Sequence, residues 1–371
     1  MQVIIPSTLR RQAWGVAGIF GATTAGMAWG LSQWGWDSAE SWFIFALLCL
    51  AGQLWLLHRF LPRHHPPDSP QLLPNLGWAN ALTLTRGLAL GWLAGFLSAP
   101  RPEIGPIWLP ASLYTAAACL DIADGIVARL SGAATGLGGA LDLELDALGI
   151  LIVCALVVRY GQVPVAYGVI GLARYIFVLG VWLREKRQLP VHPIPPSLNR
   201  RAAAGLQMGL FSVLLWPNVA PPATWVAALV FGLTTLAIFG RDWLVVIGCA
   251  DPAQSDYQRR RAQLLALAKK WLPLLCRGIC LLLAVTGAVS LDAGSGWGRL
   301  GLIGLVLAVG GVVGRLGGLL LIAYVAFACG NGHYPPANLA LLACACWLVS
   351  HGSGAFALWQ PEEVIFERRF G

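Results

Sequence analysis

The sequence predicts an all-α, polytopic membrane protein, and three features support that fold class. Only 11% of the 371 residues are Asp, Glu, Lys or Arg, whereas a soluble domain contains about 25%. Apolar residues make up 57% of the chain, and they form runs of the length that a membrane helix needs, about 20 residues. The seventeen tryptophans suit the aromatic belts at the two membrane interfaces. A single soluble core is therefore excluded.

The apolar runs fall into three groups along the chain: two before a link rich in proline and histidine, six in the middle, and three at the end. They lie at 12–32, 41–57, 80–98, 106–130, 139–158, 164–183, 201–217, 223–248, 272–291, 299–330 and 337–357. We expect three segments from this grouping: 1–70, 75–250 and 251–371. The run 299–330 fits either one over-long helix or a tight hairpin near Gly310 and Gly311.

The first run follows Arg10 and Arg11, as a secretory signal peptide would. Because many spans follow it, we expect a retained first helix. The net charge of +8 comes from basic residues placed in links between the runs rather than on one amphipathic face. This placement indicates that the charges orient the helices in the membrane, and it predicts no nucleic-acid binding. The positive-inside rule places these links in the cytoplasm. We therefore expect a multi-pass protein of the cell membrane, plasma or inner.

Cysteine and histidine indicate no metal site. Nearly all nine cysteines lie inside apolar runs, where they behave as small hydrophobes, and no disulfide or zinc spacing emerges. His64 and His65 stand in a proline-rich link, and we expect solvated loop residues there rather than ligands.

Four aspartates interrupt the apolar runs of the middle segment. Asp121 and Asp124 are three residues apart, and Asp142 and Asp146 are four apart, so each pair shares one helix face. The stretch SGAATGLGG between them breaks the helix, so two helix ends can direct four carboxylates to one spot. Glu144 lies two residues from both members of the second pair and should point away.

Carboxylates in hydrocarbon are costly and usually functional. Oxygen-only ligands suit Mg²⁺ or Mn²⁺, and two such ions would balance four negative charges. With Arg129 placed to meet a phosphate, the site suggests phosphoryl chemistry. For any one aspartate, the alternative is a helix cap at the interface that pairs with Arg129. The joint spacing disfavours that alternative.

The joint pattern is D-x-x-D-G-x-x-A-R, eight residues, then G-x-x-x-D-x-x-x-D, and it resembles the signature of the class I CDP-alcohol phosphatidyltransferases. The matching residues are Asp121, Asp124, Gly125, Ala128, Arg129, Gly138, Asp142 and Asp146. The stretch NALTLTR is also similar to an N-x-x-T-x-x-R element that this family carries near the nucleotide, and it supplies Asn80, Thr83 and Arg86.

The resemblance implies a six-helix catalytic core within 75–250, a CDP-linked lipid donor such as CDP-diacylglycerol, two divalent metals, release of CMP and a homodimer. Asp121, Asp124 and Asp142 would be metal ligands, and Asp146 a ligand or the base that takes the acceptor's proton. Donor contacts would come from Asn80, Thr83, Arg86, Gly125, Ala128, Arg129 and Gly138. The active site would face the cytoplasm.

The acceptor alcohol is less well defined by the sequence. An acceptor that carries phosphate would need cations, and Arg174, Arg200 and Arg201 are the candidates, although the last two also fit topology charges. Arg174 interrupts an apolar run, so we expect it to have a partner, either an acceptor phosphate or an aspartate. The segment RRAAAG before Gln207 departs from the pattern of phosphatidylglycerophosphate synthases, which puts glycerol 3-phosphate in doubt. Two alternatives to an enzyme are a transporter that uses the acidic cluster as a cation site and a non-catalytic scaffold.

Overall fold

The computed structural model describes residues 5–361 apart from 67–68, 70, 132–134, 196–197, 252–253, 329–333 and 355, and it gives no side-chain description for 125–131, 198–199 and 261. Within these residues the protein is all-helical, with twelve α-helices and no named β-strand. The helices are α1 (Ser7–Gln33), α2 (Ala39–Phe60), α3 (Gly77–Gly95), α4 (Leu109–Ser131), α5 (Gly136–Arg159), α6 (Gly168–Lys186), α7 (Leu198–Leu214), α8 (Ala223–Val246), α9 (Ser255–Val285), α10 (Gly296–Gly310), α11 (Gly314–Ala328) and α12 (Pro336–His351).

The helix count confirms the predicted fold class, with two helices before the middle six and four after them. Four helical stretches of the described chain are long and apolar enough to cross a bilayer: Ala39–Arg63, Gly77–Ser98, Val165–Lys186 and Ala223–Val246. Three shorter apolar helices, Gly296–Gly310, Gly314–Phe327 and Pro336–His351, accompany them. Helices α4 and α5, which carry the four aspartates, are not among these stretches.

The chain divides into two compact units. The first contains residues 1–161 and 211–217, and the second contains 162–210 and 218–371.

In the first unit, α3 packs against α2, α4 and α5. Gly87, Gly91 and Gly95 recur every four residues on α3, and a methyl group on any of them would overlap a side chain of α2. Small residues at this spacing let two membrane helices approach closely. This packing holds α3 at a fixed depth beside the helices that bear the aspartates.

The link between α2 and α3 is tied to the fold. His64 is fully buried, and its Nε2 lies 2.8 Å from the carbonyl oxygen of Asn75. The carbonyl of His65 accepts a hydrogen bond of 3.2 Å from the backbone N–H of Gly136, the first residue of α5. The prediction that His64 is a solvated loop residue is therefore wrong, because the link folds back onto the start of α5.

In the second unit, α10 and α11 form the hairpin that the sequence left open for run 299–330. Gly311 ends α10 in the left-handed conformation, with φ of 63°, which favours glycine. A methyl group on Gly317 would lie 2.7 Å from the backbone nitrogen of Ala308, so this glycine lets the two helices meet. The buried Arg277 of α9 donates hydrogen bonds of 2.9 and 2.7 Å to the carbonyl of Val309. It donates another, of 3.1 Å, to the carbonyl of Phe356.

The basic stretch at 258–270, which lies between two apolar runs, is helical and forms the first half of α9. Its Leu and Ala residues favour helix, and the helix continues without interruption through Pro273.

Candidate functional site

The two helices that carry the aspartates are separated as the sequence predicts. Helix α4 ends at Ser131 and α5 begins at Gly136. Thr135 has an extended backbone and caps α5, because its hydroxyl oxygen accepts a hydrogen bond of 3.1 Å from the N–H of Gly138. The capped start of α5 sets the orientation of its first three turns, which carry Asp142 and Asp146.

Three of the four carboxylates meet at one point. Asp121, Asp142 and Asp146 each offer an oxygen atom, and these oxygens lie within 4.8 Å of one another. Their side chains are 26%, 47% and 44% exposed, so a solute can reach them. Asp124 lies deeper, at 10% exposure, and accepts a hydrogen bond of 3.2 Å from the hydroxyl of Thr83.

Arg86 of α3 lies at the centre of this cluster. Its side chain is only 2% exposed, and its guanidinium pairs with all four aspartates. Nη1 contacts Asp121 and lies 3.8 Å from Asp124, while Nη2 lies 2.8 Å from Asp142 and 3.3 Å from Asp146. Nε is buried and has no hydrogen-bond partner among the residues that the structure describes. One cation therefore holds four carboxylates together.

The role of Arg86 as partner of the aspartates was missed by the sequence reasoning, which considered Arg129 as their partner and placed Arg86 near the nucleotide. A signal was available, because Arg86 stands in an apolar run and an arginine in a membrane segment needs an anionic partner. The four aspartates were the obvious acidic group.

The face of α3 that carries Asn80, Thr83 and Arg86 is directed to α4 and α5. Thr83 and Arg86 contact the aspartates directly. Asn80 is buried and donates a hydrogen bond of 2.6 Å to the carbonyl of Leu76. Its Oδ1 lies 2.8 Å from the position that a Cβ of Gly138 would take. Gly138 thus lets α5 approach α3 beside the carboxylates.

Six other predicted site residues lie at the end of α4 or in the second unit. Gly125, Ala128 and Arg129 belong to the last two turns of α4, but their side chains lie outside the described residues. Arg174, Arg200 and Arg201 belong to the second unit.

Within the second unit, Arg200 already has partners. Its guanidinium lies 3.1 Å from the carboxylate of Asp242 and 3.1 Å from the carbonyl of Pro195. Arg241 lies 3.6 Å from the same carboxylate. Arg174 is half-buried, and Arg201 is exposed.

The chemistry of the donor set suits a hard divalent cation. The group within 4.8 Å consists of carboxylate oxygens, with no Cys or His among its described members. Mg²⁺ and Mn²⁺ prefer such oxygen ligands, whereas zinc sites usually contain nitrogen or sulfur. The residues present therefore fit the metal that the sequence pattern implies, and Arg86 shares the same oxygens.

The fold and the site define a polytopic, all-helical membrane protein whose half-buried carboxylate cluster can bind cations. Residues 76–238 match the family model described as CDP-alcohol phosphatidyltransferase. The match lies within the predicted middle segment 75–250 and includes all four aspartates. No curated protein and no solved structure matches the chain.

The match of this segment indicates a transferase of the CDP-alcohol phosphotransferase class, with a CDP-alcohol donor and an alcohol acceptor in a membrane.

Proposed function

We propose that the protein transfers a substituted phosphate, such as phosphatidyl, from a CDP-linked lipid to an alcohol and releases CMP in phospholipid synthesis. The observation that carries this proposal is the convergence of four aspartates on Arg86 within the segment that matches the family model. CDP-diacylglycerol is the proposed donor. In this reaction the acceptor oxygen forms a bond to the lipid-bearing phosphorus, and the bond from that phosphorus to CMP breaks.

The aspartates would hold two divalent ions, Mg²⁺ or Mn²⁺. Asp121, Asp124 and Asp142 are the proposed ligands, and Asp146 is either a fourth ligand or the base. Ions bound there would neutralise the diphosphate and stabilise CMP as leaving group. The mutual distances of the Asp121, Asp142 and Asp146 oxygens support this use, and the deeper Asp124 is held by Thr83.

Asp146 is the proposed acceptor of the alcohol's proton. A general base must come within hydrogen-bond reach of the hydroxyl that it deprotonates. At 44% exposure, the side chain of Asp146 is accessible to a small alcohol. The face of α3 with Asn80, Thr83 and Arg86 would bind the nucleotide beside it, together with Gly125, Ala128, Arg129 and Gly138.

The acceptor is proposed to carry a phosphate, with Arg174, Arg200 and Arg201 as its cationic partners. The exposed Arg201 can take such a group directly, whereas Arg200 would have to exchange its contact with Asp242. Glycerol 3-phosphate and inositol phosphate are the acceptors with this chemistry.

Segments 1–70, 75–250 and 251–371 are proposed as the N-terminal pair of helices, the catalytic core and an accessory bundle. By the positive-inside rule, the site would face the cytoplasm at the plasma or inner membrane. A homodimer is proposed from the resemblance.

The test is CMP release by the purified protein in detergent with CDP-diacylglycerol and Mg²⁺ or Mn²⁺. Glycerol 3-phosphate, inositol phosphate, inositol and serine are supplied one at a time. We expect metal-dependent release with one acceptor. Binding of CDP-diacylglycerol without release for any acceptor would favour the scaffold, and metal binding without any affinity for CDP would favour the transporter.

Matched variants on α5 connect that activity to the site. Asp142→Asn and Asp146→Asn should each lower the rate by about a hundredfold or more, as loss of a metal ligand or general base does. Glu144→Gln removes the same charge from the same helix, but Glu144 is not in the group of oxygens within 4.8 Å. It should keep most of the activity. Equal losses in all three variants would contradict the one-face arrangement.

A further inference from the structure

The first half of α9 and the chain after α12 expose a set of large apolar side chains. We call this set the interfacial surface. It consists of Leu264, Leu267, Trp271, Phe356, Leu358 and Trp359. Each of these side chains is between 55% and 80% exposed. Apolar side chains gain free energy when something apolar covers them.

The three members on α9 form a stripe. They occur at i, i+3 and i+7, which places them on one helix face. From Ser255 to Trp271 the helix is roughly 25 Å long at 1.5 Å per residue. The stripe covers two turns of that length, roughly 10 Å from Leu264 to Trp271.

Basic residues accompany this stripe. Arg259, Arg260, Lys269 and Lys270 are exposed, and the sequence has no Asp or Glu between Tyr257 and Cys276. With Arg261, the segment carries five basic residues, and it is too costly to place in hydrocarbon. It also cannot leave its apolar stripe in water without losing the hydrophobic free energy of burial.

Lys270 connects the two parts of the surface. Its Nζ lies 5.3 Å from the ring centroid of Trp271 and 5.8 Å from that of Phe356. An ammonium group held beside aromatic rings is typical of the membrane–water interface, where rings sit at headgroup level and lysine reaches the phosphates.

We propose that the interfacial surface lies along the bilayer and binds anionic lipid headgroups. The apolar side chains would enter the boundary between headgroups and acyl chains, and the four cations would contact phosphate groups. A nucleic acid would satisfy the cations but leave the apolar stripe uncovered. The surface is also continuous with the apolar second half of α9, and α9 packs against α10 and α12.

Hydrogen exchange tests this proposal on the full chain. The protein is placed in nanodiscs of phosphatidylcholine alone or of an equimolar mixture with phosphatidylglycerol, and amide exchange is followed by mass spectrometry. Exchange across 255–271 should be about tenfold slower with the anionic lipid, given the attraction of its five basic residues to an anionic surface. Raising the salt to about 1 M, where the Debye length is about 3 Å, should remove most of that difference.

Two charge-matched variants decide the source of the protection. The first combines Arg259→Gln, Arg260→Gln, Lys269→Gln and Lys270→Gln, and the second combines Arg10→Gln, Arg11→Gln, Lys186→Gln and Arg187→Gln at exposed positions elsewhere. Only the first should lose the effect of phosphatidylglycerol. Equal exchange of 255–271 in both lipids would overturn the proposal, as would an equal loss in the two variants. Protection that depends on protein concentration in detergent would also overturn it, in favour of a second copy of the chain as the occupant. No outcome depends on catalysis.

Discussion

Replacement of Arg86 by glutamine should have opposite effects on the metal-free and the metal-bound protein. Arg86 is the one cation that pairs with all four aspartates among the residues described by the structure, and its side chain is 2% exposed. Glutamine keeps much of the volume and some hydrogen bonding but removes the charge. Without metal, the four carboxylates would then repel one another with no counter-charge between them.

The size of the first effect follows from the ion-pair distances. At the 2.8 Å that separates Nη2 from Asp142, one pair corresponds to roughly 6 kcal/mol of attraction at an effective dielectric constant of about 20. Water screens much of this, because three of the carboxylates are between 26% and 47% exposed. Breaking a buried pair from one side costs about 3–5 kcal/mol. We expect the lower end, about 3 kcal/mol, and a fall of several degrees in the melting temperature.

The second effect has the opposite sign. A divalent ion bound by these carboxylates would share them with the guanidinium, which repels it. Removal of that charge should tighten Mn²⁺ binding about tenfold or more, which corresponds to at least about 1.4 kcal/mol. The melting temperature of Arg86→Gln should therefore rise more steeply with Mn²⁺ than that of the wild type.

Two measurements without substrate check this prediction: thermal unfolding in detergent with and without Mn²⁺, and titration of bound Mn²⁺ by electron paramagnetic resonance. Arg101→Gln is the matched control, since Arg101 belongs to the same unit but donates to the carbonyl of Leu215 and packs on Tyr160. It should lower stability and leave Mn²⁺ affinity unchanged. Weaker Mn²⁺ binding by Arg86→Gln, or unchanged stability without metal, would refute the reasoning.

Two further predictions concern packing. Gly138→Ala would place a Cβ 2.8 Å from Oδ1 of Asn80 and should separate α3 from α5. It should lower the free energy of unfolding by about 1–3 kcal/mol and lower the proposed CMP release about tenfold or more. The control Gly139→Ala has open space around it and should change neither the melting temperature nor the CMP release. Arg277→Gln should leave the buried carbonyl groups of Val309 and Phe356 without this donor, which should destabilise the second unit by about 1–3 kcal/mol and speed proteolysis of the chain after α12. Arg299 is exposed, so the control variant Arg299→Gln should be cleaved at the wild-type rate.

The local features of the site were predictable because they depend on short spacings. Helical periodicity alone places Asp121 with Asp124 and Asp142 with Asp146, and the glycine-rich stretch between the pairs indicates the helix break. The structure agrees on both points, since both members of each pair contact Arg86. The family resemblance rested on these same spacings, and the match over 76–238 supports it independently of any contact.

The remaining features depend on contacts between residues that are distant in the sequence. Arg86 is 35 residues from Asp121 and 56 from Asp142, and spacing within one helix cannot identify such a partner. His64 is a similar case, since its burial results from a loop that returns to the start of α5. For the run 299–330, one helix and a hairpin both satisfy the apolar pattern. The left-handed Gly311 and the close approach at Gly317 favour the hairpin.

Arg86 also explains how four carboxylates can persist in an apolar helical bundle before any ligand arrives. A cluster of four negative charges without a counter-ion would be driven to protonate or to open toward water. Arg86 supplies one fixed positive charge from a helix whose glycines hold it against α2. The four carboxylates and Arg86 together carry a net charge of −3, and two divalent ions would change it to +1. This positive charge would attract the anionic diphosphate of the donor. The net charge therefore favours binding of metal and donor together over binding of metal alone. Omission of the CDP-linked lipid should therefore weaken Mn²⁺ binding by the wild type, and the same titration can measure this.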